Sequence, residues 1–179
     1  PMTAYLLSEV CESIDLPNGV LNIVHGYGHS VGNAITDNDI VEAISFTGGT
    51  ETGRTIASKA APKFKKLSLE LGGKNPNIIF ADCDFDQMIQ TTLRSSFANQ
   101  GQICLCGSRI MVEASLYEKF KEKFVEETKK LVVSNPSDSK AKLGAVVSKQ
   151  HYEKVLSYID LAQEEGGTIL AGGTPVKLK

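Results

Sequence analysis

Val41-Glu42-Ala43-Ile44-Ser45-Phe46-Thr47-Gly48-Gly49-Thr50-Glu51 is the stretch that decides the fold. Alternation and β-propensity predict a strand over 41–46. Thr47-Gly48-Gly49-Thr50 then turns the chain into a helix beginning near Glu51. Downstream, Leu67-Ser68-Leu69-Glu70-Leu71 alternates as another strand. Upstream, Val20-Leu21-Asn22-Ile23-Val24 is a short β-branched run between the Pro17-Asn18-Gly19 turn and Gly26, and it also reads as a strand. Before that turn, apolar residues at 6, 7, 10 and 14 give a helix from Thr3 to Ser13, with Thr3 as its N-cap. Helix, strand, helix, strand, helix, strand is the grammar of a parallel sheet with crossover helices, so the fold class is α/β.

Gly72-Gly73 interrupts this pattern, and the chain divides there into residues 1–72 and 73–179. A strand is expected from Pro76 to Phe80 and a helix from Asp82 to Ser96, capped by Asp82 or Asp84. A strand follows over 108–112. Leu116 to Val132 is an amphipathic helix with Phe120, Phe124 and Leu131 inside. A polar loop, a helix from Ser148 to Glu165, the Gly166-Gly167 stop and a strand over 168–171 complete the reading.

The composition excludes several classes of function. The 179 residues are 41% hydrophobic and 22% charged, with a formal net charge of -2, which is ordinary globular composition and gives no electrostatic case for nucleic acid or membrane. Lys63, Lys65 and Lys66 read as a solvated turn. No apolar run approaches the ~20 residues needed to cross a bilayer. Four cysteines, at 11, 83, 104 and 106, do not make a disulfide framework, and Cys104-Leu105-Cys106 is not a C-x-x-C. The three histidines supply no zinc-ligand spacing. No metal and reduced, intracellular thiols are therefore expected, and both chain ends read as cut.

Four places carry chemistry. Gly26-x-Gly28-x-x-x-Gly32 follows an expected strand and precedes a helix, where glycines let backbone approach a pyrophosphate; a plain glycine-rich turn is the alternative. Gly48, Gly49 and Glu51 lie at the second strand-to-helix junction, whose N–H groups and helix dipole suit a phosphate, although Glu51 is also a natural helix-start carboxylate. Glu70, at a strand end before two glycines, suits a partly desolvated base, or else an exposed carboxylate paired with Lys74. In Asn99-Gln100-Gly101-Gln102-Ile103-Cys104, a thiol follows a polar turn whose amides suit an oxyanion. Cys104 and Cys106 flank Leu105 on one side of an extended segment, and chemistry alone does not choose between them; either also suits an inert, buried position.

Together the runs Phe46-Thr47-Gly48-Gly49-Thr50-Glu51, Leu69-Glu70-Leu71-Gly72-Gly73-Lys74-Asn75-Pro76 and Asn99-Gln100-Gly101-Gln102-Ile103-Cys104 resemble the aldehyde dehydrogenase superfamily. The last two are similar to its glutamate and cysteine signatures, at a fitting separation. Within the resemblance, the register of Gly107-Ser108-Arg109 selects Cys104 over Cys106. The implied fold is a parallel Rossmann-type sheet carrying the cofactor, followed by the first part of an α/β catalytic domain. The implied chemistry is oxidation of an aldehyde to a carboxylic acid with NAD(P)+, through a thiohemiacetal and thioester on Cys104, with Glu70 activating water. The resemblance also implies pyrophosphate near Gly49 and its neighbours, Leu71 and Gly72 near the nicotinamide, and a cytoplasmic homo-oligomer.

Two departures stand out: Gly49 replaces a serine that many members carry, and Ile103 and Leu105, not cysteines, flank the thiol. Arg94-Ser95-Ser96-Phe97, Leu67-Ser68-Leu69 and Cys104-Leu105-Cys106 resemble the muconic semialdehyde branch. That implies a semialdehyde such as 2-aminomuconic semialdehyde, with Arg94 as a candidate carboxylate contact against its plainer reading as a surface arginine. The family's chains are longer, so this stretch is expected to be interior and inactive by itself. The rival functions are a CoA-acylating relative and a non-catalytic structural relative.

Overall fold

Two short parallel sheets carry the architecture of the computed structural model, which describes residues 2–178. It divides into two compact units, Pro1–Leu71 and Gly72–Lys179.

In the first unit, helix α1 spans Met2–Ser13. A single π-type turn over Gly28–Gly32 leads into the short helix α2, Asn33–Asp37. Strand β1 (Ala43–Gly48), helix α3 (Thr50–Ala60) and strand β2 (Lys66–Leu71) form one strand–helix–strand unit. The strands pair in parallel from Ala43 opposite Lys66 to Gly48 opposite Leu71. β1 thus starts two residues later than the alternation suggests and continues through Thr47-Gly48.

Val20 to Val24 does not form the expected strand; it joins no ladder among the described residues. A β-branched run has the propensity, but a strand exists only with a neighbour to complete its hydrogen bonds. Val20 and Val24 are accordingly exposed.

Of the lysine cluster, Lys63 and Lys66 are exposed as expected, and Lys65 is not. Lys65 is buried, and its ammonium donates to the carbonyls of Thr36 (2.8 Å) and Asn38. Lys63 donates to the Asp37 carbonyl and the Asp39 carboxylate, each at 2.6 Å. Lys59 reaches Asp37 at 3.1 Å. The Lys63 ammonium, by hydrogen bond and then by charge, holds the Asp39 carboxyl below its usual range. Lys63 and Lys65 satisfy carbonyls at and just beyond the end of α2, so they fasten the chain there to the segment between α3 and β2.

In the second unit, strand β3 (Pro76–Ile79) pairs in parallel with β4 (Arg109–Val112). Helices α4 (Phe85–Phe97), α5 (Tyr117–Lys129) and α6 (Lys149–Glu164) accompany them. Asp84 caps α4, accepting from the Gln87 N–H at 3.0 Å, and Ser148 caps α6 through the His151 N–H at 3.2 Å. The Ala81 N–H, then the Ser115 hydroxyl, donate to Glu113 and lower its carboxyl pKa. Gly166, at φ 89°, ends α6. Residues 168–171 are not the expected strand and lie outside any ladder among the described residues, for the same lack of a neighbour.

The core of this unit is Ile79, Ile89, Leu93 and Phe120, with Phe97, Phe124 and Ile110 packed against it. Phe120 stacks on Phe124 at a centroid distance of 5.0 Å. Ile89, only 1% exposed, is the largest side chain buried to that degree. Ile89→Ala is expected to destabilise the protein by about 2–5 kcal/mol through lost burial and the cavity left behind. Chemical denaturation checks this; an unchanged midpoint would remove Ile89 from the core.

Candidate active site

At the carboxyl end of the β1–β2 pair, the register places Thr47 opposite Glu70 and Gly48 opposite Leu71. Gly49 follows at once and α3 begins at Thr50. The fold therefore gathers Gly48, Gly49, Glu51, Glu70 and Leu71 at the strand ends, the edge where open α/β sheets bind ligands.

This edge has the backbone features that suit a pyrophosphate. Gly49 is extended (φ -72°, ψ 144°), and no side chain caps α3. The first N–H groups of that helix lack intrahelical acceptors by geometry. A Cβ built on Gly49 would meet nothing within 4 Å, leaving open space beside those N–H groups. An anionic diphosphate fits such an end. Glu51 is exposed and pairs with Arg54 at 3.3 Å, the ordinary contact of a helix-start carboxylate. Glu70 is exposed, so its unit does not supply the partial desolvation expected for it.

The Gly26–Gly32 junction has less of the expected context. No paired strand precedes it among the described residues, and the helix after its π-type turn has only five residues. At Gly26 a Cβ would lie 2.2 Å from Val31 Cγ2, so close packing of the turn already requires glycine there. Gly28 has open space around it.

Cys104 sits in the loop between α4 and β4. The segment is not extended, as the sequence suggested. Asn99 (φ 49°), Gln100 (φ 56°) and Gly101 (φ 71°) are successive left-handed residues. Each non-glycine of that kind costs about 1–3 kcal/mol and persists only where its surroundings hold it. At Gly101 a Cβ would lie 3.0 Å from the Ser96 carbonyl, on top of the backbone preference. The Cys106 N–H then donates to the Ile103 carbonyl at 2.9 Å, closing a turn around Cys104.

Both ends of this loop are fastened. Gly107 N–H donates to the Ser95 carbonyl and hydroxyl, each at 3.1 Å, and Ser96 Oγ donates to the Gly107 carbonyl at 3.1 Å. The Arg109 guanidinium donates to the Lys74 carbonyl through Nε (3.1 Å) and Nη2 (2.6 Å). Asn75 Nδ2 donates to the carbonyls of Cys104 (2.6 Å) and Cys106 (3.1 Å).

The two thiols therefore stand in opposite environments. Cys104 is exposed; Cys106 is buried, its sulfur 4.0 Å from the Ala98 carbonyl. The Cys104 N–H donates to no group among the described residues. A thiol open to a substrate beside an unengaged N–H can attack a carbonyl and donate to the oxygen that becomes negative. Arg94 is exposed on α4. An apolar groove lined by Phe97, Phe124, Val155, Tyr158, Ile159 and Leu170 contains neither Cys104 nor Arg94. Among the described residues, no group of three or more His, Cys, Asp or Glu could hold a metal, and no helix is long and apolar enough to cross a membrane.

Asn75 and Ser95 have no role in the sequence reading. Asn75 was visible only as a letter in the Gly72-Gly73-Lys74-Asn75-Pro76 run. Its reach to a loop nearly thirty positions away follows from the β3–β4 pairing, which no local pattern encodes.

The first unit is thus a strand–helix–strand scaffold with an open helix end at its strand termini, and the second carries an exposed cysteine on a fastened loop. The aldehyde dehydrogenase family profile matches residues 1–179, and the chain belongs to that family. It is 51% identical over 171 residues to the 2-aminomuconic semialdehyde dehydrogenase of Danio rerio, covering 96% of this chain and 35% of the relative. It is 45% identical to the 2-hydroxymuconic semialdehyde dehydrogenase of Pseudomonas sp. strain CF600, over 97% of this chain and 36% of that protein. The crystal structure of betaine aldehyde dehydrogenase from Staphylococcus aureus in complex with NAD+ superposes with a TM-score of 0.93 at 39% identity, over 98% of this chain and 35% of that one. The chain thus spans about a third of the length of the curated relatives it matches.

Proposed function

We propose that the protein oxidises a semialdehyde to a carboxylic acid with NAD+, or NADP+ in its place, and that Cys104 is the nucleophile. The observation that carries this reading is the exposed Cys104 on a strained loop fastened at both ends, in a chain of this family. The muconic semialdehyde dehydrogenases among its relatives support an unsaturated, carboxylate-bearing semialdehyde as substrate.

Cys104 Sγ adds to the aldehyde carbon, and the Cys104 N–H donates to the resulting oxyanion. The dinucleotide, when bound, supplies the hydride acceptor that turns this adduct into a thioester. Gly48, Gly49 and the first N–H groups of α3 would hold its pyrophosphate, with Gly26, Gly28 and Glu51 contributing to the cofactor side. Leu71 and Gly72 would face its nicotinamide. Glu70 takes a proton from the water that hydrolyses the thioester, which frees the acid and restores the thiol. Residues 1–72 are assigned to cofactor binding and 73–179 to catalysis. A cytoplasmic homo-oligomer is the family expectation that accompanies this assignment.

Residues 1–179 by themselves are proposed not to turn over, since they cover only about a third of the length of the relatives they match; NADH formation by these residues alone would overturn that. The function is tested by following NADH absorbance with the intact protein, NAD+ and 2-hydroxymuconic semialdehyde. Steady NADH formation without added CoA is expected. Its absence, or a strict requirement for CoA, would overturn hydrolytic oxidation.

A further inference from the structure

Cys104 makes one hydrogen bond among the described residues, and it is to a side chain of β3's leading edge: Asn75 Nδ2 donates to its carbonyl at 2.6 Å. The same nitrogen donates to the Cys106 carbonyl at 3.1 Å. A carboxamide nitrogen offers two protons, so both are engaged by the nucleophile's turn.

Asn75 is itself held rigidly. Pro76 follows it and restricts its backbone to extended geometry. Pro76 opens β3 and pairs with Arg109 of β4. The Arg109 N–H donates to the Asn75 carbonyl at 3.2 Å, and the Arg109 guanidinium grips Lys74 next door. The carboxamide is therefore tied to the sheet, whereas the turn it holds follows three left-handed residues. Such a turn relaxes unless something opposes it. Ser95 and Ser96 act on Gly107, beyond the turn; Asn75 acts on Cys104 itself.

We propose that Asn75 is a positioning residue for the nucleophile: by holding the Cys104 and Cys106 carbonyls toward the sheet, its carboxamide fixes the direction in which Cys104 presents its thiol. This rests on the reading of Cys104 as nucleophile. Addition to a carbonyl needs the sulfur about 3–3.5 Å from the carbon and in line, and a displacement of about 1 Å costs on the order of 10²-fold in rate. The role is orientation alone, with no proton transfer by Asn75.

The test compares the intact wild-type protein with Asn75→Ala, Asn75→Asp and the control Cys104→Ala. Asn75→Ala removes both hydrogen bonds; Asn75→Asp keeps the shape but turns an acceptor toward two carbonyl oxygens. Both variants are expected to lower kcat and the rate of the first NADH turnover by about 10²-fold, with KM for NAD+ and the melting temperature close to wild type. Wild-type kcat in either variant would overturn the proposal. Equal losses in kcat, NAD+ affinity and melting temperature, or failure of both variants to fold, would overturn it in favour of a purely structural role. If the wild type forms no NADH, or Cys104→Ala keeps forming it, the nucleophile assignment itself fails and takes the proposal with it. Those two failures are recognised without reference to the Asn75 variants.

Discussion

Cys104→Ala is expected to abolish NADH formation, a loss of at least about 10⁴-fold in kcat, while Cys106→Ala leaves turnover close to wild type. The two residues lie two positions apart and carry the same group, so their difference comes from environment alone. Cys104 is exposed in a turn whose carbonyls are held by Asn75. Cys106 is buried beside the Ala98 carbonyl and acts as a small hydrophobe in the loop's wall. Its replacement therefore appears in stability, at about 1–2 kcal/mol, the ordinary scale for trimming a small buried side chain. Steady-state rates and melting curves of the two variants check this. Equal loss of turnover from both, with both folded, would mean that the loop and not one thiol is the requirement.

Glu70→Gln is expected to separate the two halves of the reaction. The glutamine keeps the shape of the side chain at the end of β2 but cannot take a proton from water. The first turnover should still produce NADH, because thiol addition and oxidation do not use the base. Steady turnover should then fall by about 10²–10⁴-fold, the usual contribution of a general base. Rapid mixing should show a burst of NADH close to one per active site, followed by a slow phase. Loss of the burst together with the steady rate would place Glu70 in activation of the thiol instead. Unchanged steady turnover would remove it from the mechanism.

The sequence was most informative where chemistry and local geometry coincide. The Phe46 to Glu51 junction, the strand ending in Glu70-Leu71 and the helix capped by Asp84 follow from alternation, glycine placement and a capping aspartate. Each of these is settled within about a dozen residues. Val20 to Val24 and Thr168 to Ala171 show the limit. Both have strand composition, yet ladder formation is a property of two segments, and neither has a partner strand among the described residues.

Lys65 shows another limit. As one of three clustered lysines it reads as solvated, but the carbonyls that take its ammonium lie at the end of α2, nearly thirty positions earlier in the chain. The Cys104 loop divides in the same way. Its cysteine is legible from the motif, whereas the bridge from Asn75 depends on the β3–β4 pairing. Asn99 and Gln100, two non-glycine residues in a row with positive φ, are not what local preference predicts.

The central claim is that the substrate's acyl group passes through a covalent bond to Cys104. The most direct measurement is mass spectrometry of the Glu70→Gln protein, mixed with NAD+ and 2-hydroxymuconic semialdehyde and quenched in acid. Trypsin releases Ser95 to Arg109 as one peptide containing both thiols, and its fragment ions distinguish them. The acyl mass on Cys104, with Cys106 unmodified, is the predicted result; the acyl group on Cys106, or NADH formed with no adduct on either cysteine, would contradict the account.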